Sequence, residues 1–415
     1  MAEARGLTHR VPALAHAEFR RVWLGGAISN SGSMMYIAAL GWITTDVTDS
    51  AAAIAAVPFI GLVPLFLVSP FAGVWADRFK RKRLLLLAIT GQAAVGIAVA
   101  IMVTADAVTY SRLIIASVVG GIFGSLGAPV FQALIPTLVP VSALRSAVIL
   151  NPLQFNISRA VGPTAAGLLI DSVGASFVFW LNAGTYIALV VALWSIEDRP
   201  AAFSGATDRS VFGDIAAGAR YAVRNPPIRI ALTAGTVIAI LVFPISYVAP
   251  ILATQGLDLD ASEFGILVGL FGSGAITGGV LMLLERDRLM ERAVLIGASG
   301  CATGLLLIGL APGLTVALIG MFVTGIAFVN VTSNVLTSLQ TNLDDRVRGR
   351  VMSLWMMIYG SLGPVGIITY GSLAEAIDIQ TVFIIAAGAM ATVLVVMALR
   401  RGFKVLDAPA EATAR

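Results

Sequence analysis

Cysteine and histidine are nearly missing from the 415 residues: there is one cysteine, Cys301, and there are two histidines, His9 and His16. A single cysteine excludes an internal disulfide and a cysteine-based metal cluster. Both histidines lie in a polar N-terminal stretch, so the apolar body of the chain has no imidazole for a metal or a buried proton relay. Charge is also scarce, at 12% of residues against 58% hydrophobic, which is far from the make-up of a water-soluble domain. No phosphate-cradling loop of the G-x-x-x-x-G-K-[ST] type is present, so direct ATP drive has no support. The expectation is a protein without cofactor or metal. An enzyme is the least favoured class, because no deep acid, histidine or thiol is available for acid-base or nucleophilic work.

What the sequence does have is long apolar runs. Twelve of them, at 22–45, 51–75, 84–103, 111–134, 148–170, 176–196, 228–253, 264–284, 293–310, 315–339, 351–374 and 381–399, are separated by charged or turn-rich breaks. A helical crossing takes about 20 apolar residues, and these runs have that length. They are continuously apolar instead of alternating, which argues against a β-barrel. The 42 glycines fit helices that approach closely in a bilayer. The expected fold is an all-α membrane protein of twelve transmembrane helices in two pseudo-symmetric six-helix bundles. Its parts are a tail at 1–21, bundles at 22–196 and 228–399, a linker at 197–227 and a tail at 400–415.

Of the 27 Lys and Arg residues, 25 fall in the tails and the even-numbered loops, which places those segments and both termini on the cytoplasmic side of the inner membrane. The net charge of +4 is therefore a topology signal and implies no nucleic acid. Within the linker, 211–223 has apolar residues at helical spacing. This suits either a helix on the inner leaflet, in contact with lipid, or a solvated one. The halves echo each other: Gly162 and Pro163 precede Gly167, as Gly363 and Pro364 precede Gly371. Two related halves are what a transporter rocking around a central site requires.

Arg159 stands out. Twelve residues into its run, at about 1.5 Å each, it lies roughly 18 Å deep in a ~30 Å core. A guanidinium at that depth must face a partner or water. One reading is that it attracts an anionic or strongly polar group on a substrate or takes part in proton coupling; the other is that it braces neighbouring helices. Ser33 lies at a similar depth on the first run, where Ser29, Asn30, Ser33 and Tyr36 form a polar set. Gln154, Asn156, Asn182, Tyr186, Asn330, Asn334, Trp355 and Tyr359 add amides and aromatic rings on other runs. Such a mixture suits an amphipathic small molecule, although each residue alone would serve equally well in interhelical hydrogen bonding. Every one of the 23 acids falls in a tail, a loop or the last turn of a run, so none is a deep proton carrier.

The stretch GVWADRFKRKR at 73–83, containing Asp77, Arg78 and Arg81, resembles the loop signature G-x-L-A-D-R-x-G-R-R of the major facilitator superfamily, with Lys80 in place of its second glycine. FRRVWL (19–24), SNSG (29–32), RAVGP (159–163) and YAVRNPP (221–227) are similar to its drug and siderophore exporters of the enterobactin exporter type. The resemblance implies a secondary transporter that works as a monomer and exports an amphipathic small molecule by alternating access. It also implies that Asp77, within the basic loop, latches the cytoplasmic gate, and that Gly162-Pro163 bends a helix which closes against the other half. Proton exchange would have to use acids near a membrane face, Asp46, Asp77 or Asp171, or the substrate itself would carry the charge. A lysophospholipid flippase and a non-transporting receptor or assembly factor are the alternatives.

Overall fold

The computed structural model describes residues 12–197, 219–284, 290–341, 343 and 345–399. The segments 1–11 and 400–415 of the expected tails and 198–218 of the linker lie outside the described residues. Among the described residues the chain is helical, without strands. Six helices come first: α1 (Ala17–Val47), α2 (Ala51–Arg78), α3 (Arg81–Thr104), α4 (Tyr110–Leu134), α5 (Val141–Val173) and α6 (Ala175–Trp194). They are followed by α7 (Pro226–Leu241), α8 (Ile245–Ile251), α9 (Ala261–Leu284), α10 (Met290–Gly309), α11 (Leu314–Thr341), α12 (Asp345–Ala376) and α13 (Ile379–Leu399). Among the described residues, ten helical segments are long and apolar enough to cross a membrane. α1 and α5, with 31 and 33 residues, are also of spanning length but carry serines, amides and Arg159.

The chain divides into two compact units, Met1–Val47 with Ile60–Ala206, and Thr48–Phe59 with Thr207–Arg415. In the first, α1 packs on α5 and α6, and α3 on α4 and α6. In the second, α11 lies between α9 and α10, α10 also meets α13, and α7 rests on α11 and α12. Large apolar side chains stay uncovered on outer faces, among them Ile115, Ile187 and Trp194. Hydrocarbon replaces water around such faces, and the helices satisfy their own backbone groups. What then holds helices together is close packing of small residues. Gly121 lies directly against the Gly61 carbonyl, and Gly325 against that of Phe271. A Cβ on Gly162 would meet Met34 Cβ at 2.5 Å and the Ser31 carbonyl at 2.9 Å. α5 runs unbroken through Pro152 and Pro163, so Gly162 serves a contact with α1 of its own unit.

Two helix starts in the second unit are closed by side-chain carboxylates. Asp260 Oδ1 accepts from the Glu263 N–H (2.8 Å) while Glu263 Oε2 accepts from the Asp260 N–H (3.1 Å), a reciprocal capping box at α9. Asp378 accepts from the Thr381 N–H at the start of α13 (2.8 Å). These bonds hold both carboxyls below the usual aspartate range. At the opposite kind of end, Arg81 donates to the Ala133 carbonyl (3.0 Å) and Lys82 to that of Ile196 (2.8 Å), where helix C-termini favour cations.

One expectation of the sequence fails. The apolar run at 228–253 reads as a single crossing helix, but the structure breaks it after Leu241, resumes with α8 and ends it in a π-helical turn, Leu252–Gly256. Pro244 has no N–H to give the Ile240 carbonyl, so the hydrogen-bond ladder is open at this point.

Candidate functional site

The first unit gathers its polar side chains between α1, α3, α5 and α6. Ser29, Ser33 and Tyr36 lie four and three residues apart on α1 and so share a face. Ser33 Oγ lies 3.0 Å from the Ser29 carbonyl and 3.1 Å from the Tyr186 hydroxyl of α6. Tyr186 in turn donates to Gln92 Oε1 of α3 at 3.0 Å. Tyr36 turns its ring edge onto Phe179 at 5.5 Å and buries its hydroxyl without a hydrogen-bond partner. Asn182 is fully buried beside Tyr186, its amide in no hydrogen bond of ordinary geometry. Gly96 makes room for it, since a Cβ there would come within 2.9 Å of Asn182 Oδ1.

A second group joins α1 to α5. Ser31 Oγ lies 2.8 Å from the Ala27 carbonyl and 3.1 Å from Ser158 Oγ. Gln154, one turn earlier than Ser158 on the same face of α5, is 1% exposed, and both its amide atoms are buried without a partner. It faces Gly26, where a Cβ would meet its Nε2 at 2.6 Å. Arg159 occupies a different, half-buried face of α5, its guanidinium stacked over the Phe155 ring at 5.0 Å. Asn30 and Asn156 are half-buried. Thus α5 presents amide and hydroxyl toward α1, and a cation with an aromatic face on another side.

In the second unit the polar residues sit on α11 and α12. Asn334 donates to the Asn330 carbonyl one turn below (2.8 Å), and Asn330 Oδ1 fills the space that Gly297 leaves on α10. The Tyr359 hydroxyl reaches Thr332 Oγ1 at 3.4 Å. Its ring lies 4.7 Å from that of Trp355, which is buried over Gly235 of α7. Gly363 is on the face of α12 that meets the break after α7, where a Cβ on it would come within 2.7 Å of the Phe243 ring, and Pro364 follows it inside the helix.

Of the loop residues, Arg81 is a helix cap as described, and Asp46 is exposed in the last turn of α1. Asp77 and Arg78 close α2, and their side chains lie outside what the structure describes. The structure adds Gln92, Ser31, Ser158 and Thr332 to the polar sets. Gln92 was visible in the sequence: it is a lone amide at mid-run, and the depth argument that singles out Arg159 applies to it too. The serines and the threonine give no such signal, because in helices they routinely bond to their own backbone.

Helices with apolar outer faces and polar chains buried inside each unit define a multi-pass helical membrane protein. The fold is shared with solved transporters. The nucleoside transporter NupG superposes with a TM-score of 0.72 at 14% identity, over 94% of this chain and 99% of that one. A bacterial homologue of the iron transporter ferroportin, in an inward-facing state, gives 0.68 at 16% identity, over 96% and 99%. Among sequence relatives, the multidrug efflux pump Tap of Mycolicibacterium fortuitum is 24% identical over 86% of this chain and 89% of its own length. Macrolide efflux protein A of Streptococcus pyogenes is 24% identical over 94% and 97%, and the staphyloferrin A transporter of Staphylococcus aureus 23% over 83% and 86%. The chain belongs to the transmembrane secretion effector family of the major facilitator superfamily, whose pattern matches residues 9–414.

Proposed function

We propose that this transporter exports an amphipathic small organic molecule of the drug, macrolide or siderophore kind, by alternating access powered by an ion or substrate gradient. The observation that carries the reading is the pairing of Arg159 with Phe155 on α5. A cation beside an aromatic face within a long apolar helix matches a ligand with an anionic or strongly polar group on an apolar body. The names of the relatives, two drug or macrolide efflux proteins and a siderophore transporter, agree with that class. Both termini are cytoplasmic, a reading that rests on the basic residues clustering on one side, and the working unit is taken as a monomer. Exchange for protons runs through acids close to a membrane face, Asp46 and Asp77. Asp77 also latches the inner gate, so that Asp77→Asn slows turnover more than it weakens binding.

The test is transport by purified protein in proteoliposomes, using a macrolide, a siderophore, a cationic dye and a lysophospholipid as cargo. Arg159→Ala should lower uptake of anionic cargo by about tenfold, the scale of one lost charge-assisted contact, while Arg159→Lys retains part of it. Equal transport of all four by wild type and Arg159→Ala would remove Arg159 from the site. Cargo movement that ignores an imposed pH gradient would reject proton exchange, and lysophospholipid as sole cargo would convert the exporter into a flippase.

A further inference from the structure

The break in the seventh crossing is built, not merely tolerated. Around it the Ile238 carbonyl accepts from both Val242 N–H (2.9 Å) and Phe243 N–H (3.0 Å), and Ile245 N–H donates to Val242 (3.2 Å). The regular helical donors for Ile240 and Leu241 are thereby lost. Pro244 has none to give Ile240, and that of Ile245 is committed to Val242. Carbonyls released in this way inside a membrane need new partners.

α12 supplies what the break needs. Gly363, Gly366 and Tyr370 are three and four residues apart and share one face. Gly366 lies directly against the Ile240 carbonyl and Gly363 against the Phe243 ring. The Tyr370 hydroxyl donates to the Leu241 carbonyl at 2.7 Å, and its ring is buried edge-on against Phe383 at 5.4 Å. Beyond the break, the same unit ties the far end of α8 to the start of α2. Gln255, in the π-helical turn, donates to the Asp49 carbonyl (2.7 Å), while Glu375 accepts from the Ala52 N–H (3.3 Å). The segment from α8 through the π-helical turn therefore has a released backbone joint at one end and a hydrogen-bonded load at the other.

We propose that residues 242–244 form a hinge and that Tyr370 is its positioning residue. Its hydroxyl holds the released Leu241 carbonyl in one setting of the joint, and leaving that bond is a step of the transport cycle. The inference rests on the alternating-access reading above, but part of its test does not depend on transport. Hydrogen exchange on purified protein reads the amides of 242–248 directly. Tyr370→Phe, which keeps the ring, should speed their exchange by about fivefold, the value of one hydrogen bond. Pro244→Ala, which restores a donor to the ladder, should slow it. In transport, Tyr370→Phe should change turnover by about fivefold while cargo affinity stays within a factor of about two. Exchange unaltered by both variants overturns the hinge. Altered exchange with unaltered turnover overturns the gating role, and absence of any export by wild type overturns the functional reading while leaving the hinge measurement standing.

Discussion

The first and seventh crossings, one in each compact unit, are built on opposite plans. α1 is a single helix of 31 residues whose serines bond sideways to α5 and α6. The seventh crossing is broken in two, and where its backbone opens it is gripped by glycines and one tyrosine of α12. Each is met by a glycine of a later helix in the same unit, Gly162 for α1 and Gly366 for α7. Both crossings are thus met by a glycine, while polar chemistry is invested in side chains on α1 and in the backbone on the seventh crossing. A whole helix with polar side chains suits a fixed wall, and a helix with a released joint suits a moving part.

The largest expected effect challenges the shared half of that comparison. Gly162→Leu and Gly366→Leu each drive a side chain into a neighbouring helix backbone, and each should cost about 3 kcal/mol or more, seen as loss of monodisperse protein on size exclusion. Tolerance of either would mean that its unit can spread at that contact. A smaller pair of changes dissects the side-chain plan of the first unit. Gln92→Leu removes the acceptor of the Tyr186 hydroxyl and should lower stability by about 0.6 kcal/mol, typical of one interhelical hydrogen bond in a membrane protein. Gln154→Leu removes an amide that has no partner and should be neutral or raise stability by about 1 kcal/mol. Thermal unfolding in detergent measures both, and equal losses would refute the contrast between a bonded and an idle amide.

The smallest effect concerns the caps of the second unit. The Asp260 and Asp378 carboxyls are held below the usual aspartate range by N–H and hydroxyl donors, so their contribution is present at neutral pH. It fades as pH falls from the ordinary aspartate value of about 3.9 toward the lower folded value. Both groups are exposed, and water screens most of the benefit. Asp260→Asn and Asp378→Asn should therefore lower stability slightly at neutral pH, leave it unaltered below the folded value, and so flatten the acid limb slightly. A change of equal size at neutral and acid pH would deny the carboxylates any charge-dependent part.

The crossings, and the pairing of Gly162-Pro163 with Gly363-Pro364, were legible in the sequence because both follow from one-dimensional signals, apolar length and a repeated dipeptide. The break was not, because proline alone does not mark one. α4 and α5 run through Pro129, Pro152 and Pro163 without interruption. Only the neighbouring helix separates the cases: opposite Pro244 stand two glycines and a hydroxyl that accept an opened backbone. Tyr370 itself gave no sign, being one aromatic residue in an apolar run. The site was legible as a set of residue types but not as faces. Gln154 and Arg159 are five positions apart, near enough to read as one polar patch, yet the first points at Gly26 of α1 and the second stacks on Phe155. Helical spacing separates faces but does not say which neighbour each face will meet.

The solitary thiol carries a practical consequence. Cys301 is fully enclosed in α10, and a sulfur without access to solvent reacts slowly with alkylating probes. Fluorophores or spin labels attached to an engineered cysteine would therefore report from that site alone, with the native sequence otherwise intact. The broken helix could be followed from one tagged position at a time, with Cys301 left in place.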